Sequence, residues 1–216
     1  MHIGNPSLIN IADIDRTLQT ITHINAALDV NNKPKQYTGV AVKHGNPCGA
    51  SISISPIDAV KKMIDGNRRS IFGGTVMLNF TVDNEIAELL IRHGMDEGKR
   101  RPLDVIVAPL INDEAIKILQ RQNDRCLIMT NPALENLNKD SLDISHLHRQ
   151  IRGGWIEQPN YTYLLALKSK DISTYGLLNS NEISRIDFDT ILASAVCSTS
   201  NSNTITIVKD GMLIGN

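Results

Sequence analysis

The chain has 216 residues, 41% hydrophobic and 21% charged, the balance of an ordinary globular protein with room for one sizeable core or two small ones. A formal net charge of −1 without a basic block argues against binding to nucleic acid or to an anionic membrane surface. Three widely spaced cysteines, Cys48, Cys126 and Cys197, argue against a disulfide framework, and no apolar run reaches membrane-spanning length, so the expected setting is the reducing cytoplasm.

Met1 to Asn10 reads as a turn-rich entry. Asn10 is a plausible N-cap for a helix with Asp13 in its first turn and Ile11, Ile14, Leu18, Ile21, Ile24 and Leu28 at helical spacing. His23 beside that stripe reads as a half-buried structural histidine. After a polar loop, Val40-Ala41-Val42 is a buried strand that stops at Lys43-His44 and a turn built from Gly45, Asn46, Pro47 and Gly49. Strand ends in open α/β sheets are where ligands bind, so Lys43 and His44 are the first candidate site.

Pro56 opens a helix that Gly66 ends, and Thr75 to Leu78 is a second buried strand behind the Gly73-Gly74 pair. Asp83 opens a helix stopped by Gly94, and Lys99-Arg100-Arg101 reads as a solvated loop face. Val105 to Pro109 is a third strand, Asn112 a helix cap, and Cys126 to Met129 a fourth strand. Asn131 to Gln150 is a polar connector. Beyond it come a turn at Gly153-Gly154 into a strand, a buried helix over Asp187 to Val196, and a small polar run from Ser198 to Thr204. Ile205 to Val208 and Met212 to Ile214 flank the hairpin turn Lys209-Asp210-Gly211. Strands alternating with helices predict an α/β fold in three layers, a mixed sheet flanked by helices. The expected division is a first unit over residues 1–150 and a shorter second unit over residues 151–216.

Several chemistries fail on spacing. A zinc deaminase needs H-x-E and P-C-x-x-C; Pro47-Cys48-Gly49 has no second cysteine at that spacing, and His44 is followed by Gly45-Asn46, so no metal is expected. The P-loop and dinucleotide fingerprints are absent. Cys48 reads as a packed cysteine rather than a nucleophile. A histidine that takes a proton from a weakly nucleophilic amine, and a lysine that steadies the oxyanion of a tetrahedral intermediate, fit better. The competing reading is a surface cation beside a capped turn, because adjacent strand residues point to opposite faces unless the turn redirects them.

These residues carry a resemblance. Lys43-His44-Gly45-Asn46-Pro47-Cys48-Gly49 resembles the K-H-x-N-P-C-G motif of the AICAR formyltransferase domain of bifunctional purine-biosynthesis enzymes. Further segments resemble that domain in the same order: Leu8 to Asp13, Ser70 to Gly74, Asp104 to Pro109, Arg152 to Gln158, and Ser202-Asn203 followed by Lys209-Asp210-Gly211. The resemblance implies cytidine-deaminase-like units. It also implies formyl transfer from 10-formyltetrahydrofolate, as co-substrate, to the amine of an aminoimidazole carboxamide ribonucleotide. On it, Lys43, His44 and Asn203 are the expected catalytic residues. Asn46, Pro47, Gly49, Phe72, Gly73, Gly74 and Ser202 are expected to contact substrate or folate. A homodimer with a shared active site is implied as well.

The chain departs from the pattern at its ends. Met1 to Asn10 stands where the family's phosphate-holding R-Y-G-x-N-P-H-Q segment is expected, and the glycine-rich continuation after Ile214-Gly215 is missing. Arg68, Arg69 and Arg152 are the arginines nearest the matched motifs, so the phosphate pocket reads as depleted. The alternatives are a fragment, whose missing segments a second polypeptide supplies, and a non-catalytic folate-binding or partner-binding module.

Overall fold

The computed structural model describes residues 5–122, 125–169, 172–173 and 179–216. Its centre is a seven-stranded mixed sheet. The strands are β1 (Tyr37–Lys43), β2 (Asn46–Ser53), β3 (Thr75–Leu78), β4 (Val105–Ala108), β5 (Leu127–Thr130), β8 (Ile207–Lys209) and β9 (Met212–Gly215), in the order β5-β4-β3-β1-β2-β9-β8. β3, β4 and β5 run parallel; β1 is antiparallel to both β2 and β3. A separate hairpin, β6 (His146–Ile151) with β7 (Gly154–Pro159), stands exposed along its whole length.

Alternation along the central strands builds the two helical layers, since successive side chains leave a strand on opposite faces. Ala41, Val76, Leu78, Ile106, Ala108 and Ile128 pack with α2 (Pro56–Asp65), α3 (Asn84–Arg92) and α4 (Asp113–Leu119). Val40, Val42, Met77, Val105, Val107 and Leu127 pack on the other face with α1 (Leu8–Val30) and α5 (Ser180–Thr199). The expected three-layer α/β architecture is the one observed. The sheet also runs across the expected boundary at residue 150: β9 pairs with β2 through Met212 and Ser51, and α5 supplies Ile191, Leu192 and Val196 to the core that α1 shares.

Besides the expected connector over Asn131 to Gln150, whose end from His146 onward belongs to β6, three local readings change. α1 starts at Leu8 with Ser7 as its N-cap, because Ser7 and Asn10 form a reciprocal capping box: the Asn10 N–H donates to Ser7 Oγ at 3.1 Å and the Ser7 N–H to Asn10 Oδ1 at 3.0 Å. Met1 to Gly4 of the expected turn-rich entry lie outside the described residues. β2 has no counterpart in the sequence reading; its Ala-Ser-Ile-Ser alternation follows Pro47 and Gly49, which read as breakers. Gly49 is required there by close approach, since a Cβ would stand 2.5 Å from the Met63 carbonyl of α2.

The third change concerns Lys99-Arg100-Arg101, which is not a solvated face throughout. Arg101 is 1% exposed, and its guanidinium donates to the carbonyls of Leu90 (2.9 Å) and His93 (2.8 Å) at the end of α3. Those carbonyls have no partner within the helix, and a cation there complements the helix dipole. Burial, with Arg68 adding to it, holds the guanidinium below its ordinary value. Arg100 does the same for α4 through the Ile118 carbonyl. No described helix is long and apolar enough to cross a membrane.

Candidate active site

β1 and β2 are joined by a two-residue turn, His44-Gly45, closed by the Lys43–Asn46 pair. His44 has φ +54° and Gly45 φ +77°; two positive φ values are what a two-residue hairpin turn of the I′ kind demands. Glycine takes that conformation freely, whereas a histidine there costs about 1–2 kcal/mol. Asp13, 6% exposed on α1, offsets the cost. Its Oδ1 accepts the Gly45 N–H at 2.8 Å and its Oδ2 the His44 N–H at 3.3 Å. Successive N–H groups of a left-handed turn form a concavity that suits an anion, and here a carboxylate from 31 residues upstream fills it. A register shift between Ala41 and Val42 precedes the turn. With the strand so redirected, Lys43 and His44 line one cavity.

That cavity has a volume of 430 Å³ and is walled by Ser7, Ile9, Asn10 and Asp13 of the α1 entry, Lys43 and His44, Gly73 and Thr75 before and in β3, Asp104 before β4, and Arg121 and Arg125 before β5. It lies at the carboxyl end of β1 but at the amino ends of β3, β4 and β5, because β1 runs against them. Three cations face two carboxylates. Asp13 is engaged by the turn, and Arg121 donates to Asp104 Oδ1 at 3.1 Å and to the Leu103 carbonyl at 3.0 Å. Lys43 Nζ donates to the Phe72 carbonyl at 2.7 Å, which leaves two of its three hydrogens for a ligand. Among the described residues, neither the His44 imidazole nor the Arg125 guanidinium has a hydrogen-bond or ion-pair partner. A cavity of 520 Å³ between α1 and the 131–147 segment is larger, but holds none of the turn residues.

The arginines that sequence reasoning put near the motifs do not reach this cavity. Arg68 pairs with Asp65 beside α2, and Arg152 sits at the tip of the β6–β7 hairpin. Arg121 and Arg125 line the cavity instead, Arg121 paired with Asp104. Their only signal in the sequence is position, just ahead of a strand parallel to β4. Asp104 had a better one, as the first residue of a matched segment.

The Ser-Asn loop packs beside the turn without entering the cavity. Asn201 donates its N–H to Asn46 Oδ1 at 3.1 Å, and its Nδ2 lies against Gly45. Arg16 of α1 donates to the Thr199 carbonyl at 2.6 Å. Asn216 Nδ2 donates to the Pro47 carbonyl at 3.0 Å, while its Oδ1 accepts from Thr204 and Thr206. Ser202 and Asn203 are exposed, bonded to each other at 2.7 Å, and absent from the cavity wall. Pro47, Gly49 and Gly74 are buried in the hairpin and its neighbour; Phe72 meets Lys43 through its backbone.

Cys48 lies under the turn, and burial pushes its thiol up to about 12 although Lys43 pulls it the other way. A nucleophilic role needs thiolate, which this environment suppresses. Alkylation of the folded chain with iodoacetamide at pH 8 is therefore expected to label exposed Cys197 and leave Cys48 and buried Cys126 unmodified, as peptide mass mapping will read. Rapid labelling of Cys48 would restore it as a candidate nucleophile.

The α/β sheet with a Lys-His turn beside a cavity that Arg121 and Arg125 also line defines the class of fold, and comparison with known proteins makes the family specific. The sequence profile of the AICARFT/IMPCHase bienzyme family matches residues 1–216, and the chain belongs to that family. It is 33% identical over 142 residues to the bifunctional purine biosynthesis protein PurH of Staphylococcus epidermidis, covering 66% of this chain and 26% of that protein. Against the PurH protein of Anoxybacillus flavithermus it is 31% identical over 195 residues, 90% of this chain and 35% of the relative. The match to the Prochlorococcus marinus PurH protein covers 95% of this chain and 37% of the relative, at 29% identity. The chain thus spans roughly a third or less of the first two relatives and little more of the third.

Proposed function

We propose that this chain carries the acceptor side of a formyl-transfer site, moving a formyl group from 10-formyltetrahydrofolate to the amine of AICAR or a related aminoimidazole carboxamide. The observation that carries the reading is the opening of Lys43, His44 and Arg125 into one cavity, the last two without a partner among the described residues. In the step, the amine nitrogen bonds to the formyl carbon and the bond from that carbon to the folate nitrogen breaks. The His44 imidazole takes the amine proton, and the folate nitrogen takes up a proton as it leaves. Lys43 donates to the oxygen that becomes negative in the tetrahedral intermediate. Arg125, with Arg121, supplies charge-assisted donors for an anionic group on the acceptor.

In this reading residues 1–150 hold the acceptor cavity and residues 151–216 the Ser-Asn loop. Asn203, exposed beside the turn, suits a site completed by a second copy, and Asn46 and Asn216 hold the loop in place for it. Calorimetric titration with AICAR, followed by a formyl-transfer assay, tests the proposal. Arg125→Ala is expected to weaken AICAR binding about 10- to 100-fold, the worth of a charged hydrogen bond. Failure of the wild-type chain to bind either AICAR or 10-formyltetrahydrofolate would overturn the reading, and AICAR affinity unchanged in Arg125→Ala would remove the arginine from it. Folate binding without transfer would favour the binding-module alternative.

A further inference from the structure

We infer that Arg101 is a positioning residue for Lys43, acting through Phe72; the role in transfer rests on the reading above, the mechanical link does not. The Phe72–Gly73 peptide is held at both ends. Its C=O accepts from Lys43 Nζ at 2.7 Å, and its N–H donates to the Pro102 carbonyl at 2.9 Å. The acceptor that fixes the ammonium is therefore one half of a peptide plane whose other half is bound to the Arg101-Pro102 segment.

Arg101 constrains the same plane a second time. Its guanidinium carbon lies 5.8 Å from the centroid of the Phe72 ring, within the range at which a cation is attracted by an aromatic face. Two of its nitrogens are bound to the Leu90 and His93 carbonyls and its backbone N–H to the Ile91 carbonyl at 2.6 Å, so the platform under the ring is attached to the end of α3. Among the described residues its Nε is buried without a hydrogen-bond partner. Phe72 itself is 36% exposed, so the ring is partly covered and partly open to solvent. Displacement of a catalytic group by about 1 Å can lower a rate about 100-fold, which is the sensitivity such a support protects against.

Phe72→Leu removes the ring and leaves both the Arg101 cap and the Phe72 carbonyl's chain position intact; Phe72→Tyr keeps the ring, and Arg101→Met removes the platform. Each full chain is treated with a limiting amine-methylating reagent, and modification of Lys43 is read by peptide mass spectrometry relative to Lys117, exposed on α4. The expected result is severalfold faster modification of Lys43 in Phe72→Leu and in Arg101→Met, with Phe72→Tyr like the wild type. Where transfer is measurable, kcat falls about 10-fold with KM nearly unchanged. Lys43 modification in Phe72→Leu equal to that of the wild type would overturn the inference. Should Arg101→Met not fold, Phe72→Leu decides alone. Should the wild-type chain show no transfer, the labelling result still settles the Arg101–Phe72–Lys43 link, so the two failures are distinguishable.

Discussion

Replacing His44 with alanine is expected to lower kcat for formyl transfer by about 100- to 10,000-fold, the usual contribution of a positioned general base. An aromatic amine deactivated by a neighbouring carboxamide is a poor nucleophile, so its proton must leave as the new bond forms. The His44 imidazole has no competing partner among the described residues and is exposed at the cavity mouth, so KM for the acceptor should change far less than kcat. Added imidazole should restore part of the rate, because the space vacated opens to solvent. Lys43→Ala should also lower kcat, by about 100- to 1,000-fold, for loss of an oxyanion donor. Steady-state kinetics on the two variants and on the double variant check this; transfer by His44→Ala at the wild-type rate would sink the assignment.

Asp13→Ala is expected to injure both stability and activity, although Asp13 donates nothing to a substrate in this scheme. Its carboxylate accepts the His44 and Gly45 N–H groups together, and removing it leaves both without a protein partner. Both bonds are half-buried, and a donor left unmet costs up to about 1–3 kcal/mol where water does not replace the carboxylate. The left-handed conformation of His44 then has nothing to offset it. Tm should fall by about 4–8 °C, taking some 2 kcal/mol as the net loss in a domain of this size. kcat should fall by about 100-fold through displacement of Lys43 and His44. Asp13→Asn keeps one acceptor oxygen but turns an NH₂ towards the second N–H, so it should lie between alanine and wild type. Thermal melting and kinetics decide it: Asp13→Ala with wild-type Tm and kcat would show that the turn holds its shape without α1.

The readings that succeeded were those that depend on period and punctuation. Val40-Ala41-Val42, Thr75–Leu78 and Val105–Ala108 are short apolar runs between turn formers, and the helices opened by Pro56 and by Asp83 carry their start signals in the sequence. β2 escaped because Pro47 and Gly49 lie inside it. The chain tolerates them because Pro47 stands opposite the register shift at Val42, and Gly49 lets α2 approach. Arg101 escaped because three consecutive cations read as solvated, while the unpaired carbonyls that draw one of them inward belong to a helix eight to eleven residues earlier.

The chain's sequence by itself determined the Lys-His turn, the alternation of strands and helices, and the kinship that its motifs carry in order. Those properties are local, written in adjacent residues and short periods. Only the tertiary structure decided what surrounds the turn. Antiparallel pairing of β1 with β3 sets the carboxyl end of one strand beside the amino ends of three others, and so gathers Asp104, Arg121 and Arg125 around Lys43 and His44. It also decided that Asp13, read at first as a helix-start acid, holds the turn. No local pattern records such convergence, because it follows from strand order and direction rather than from spacing along the chain.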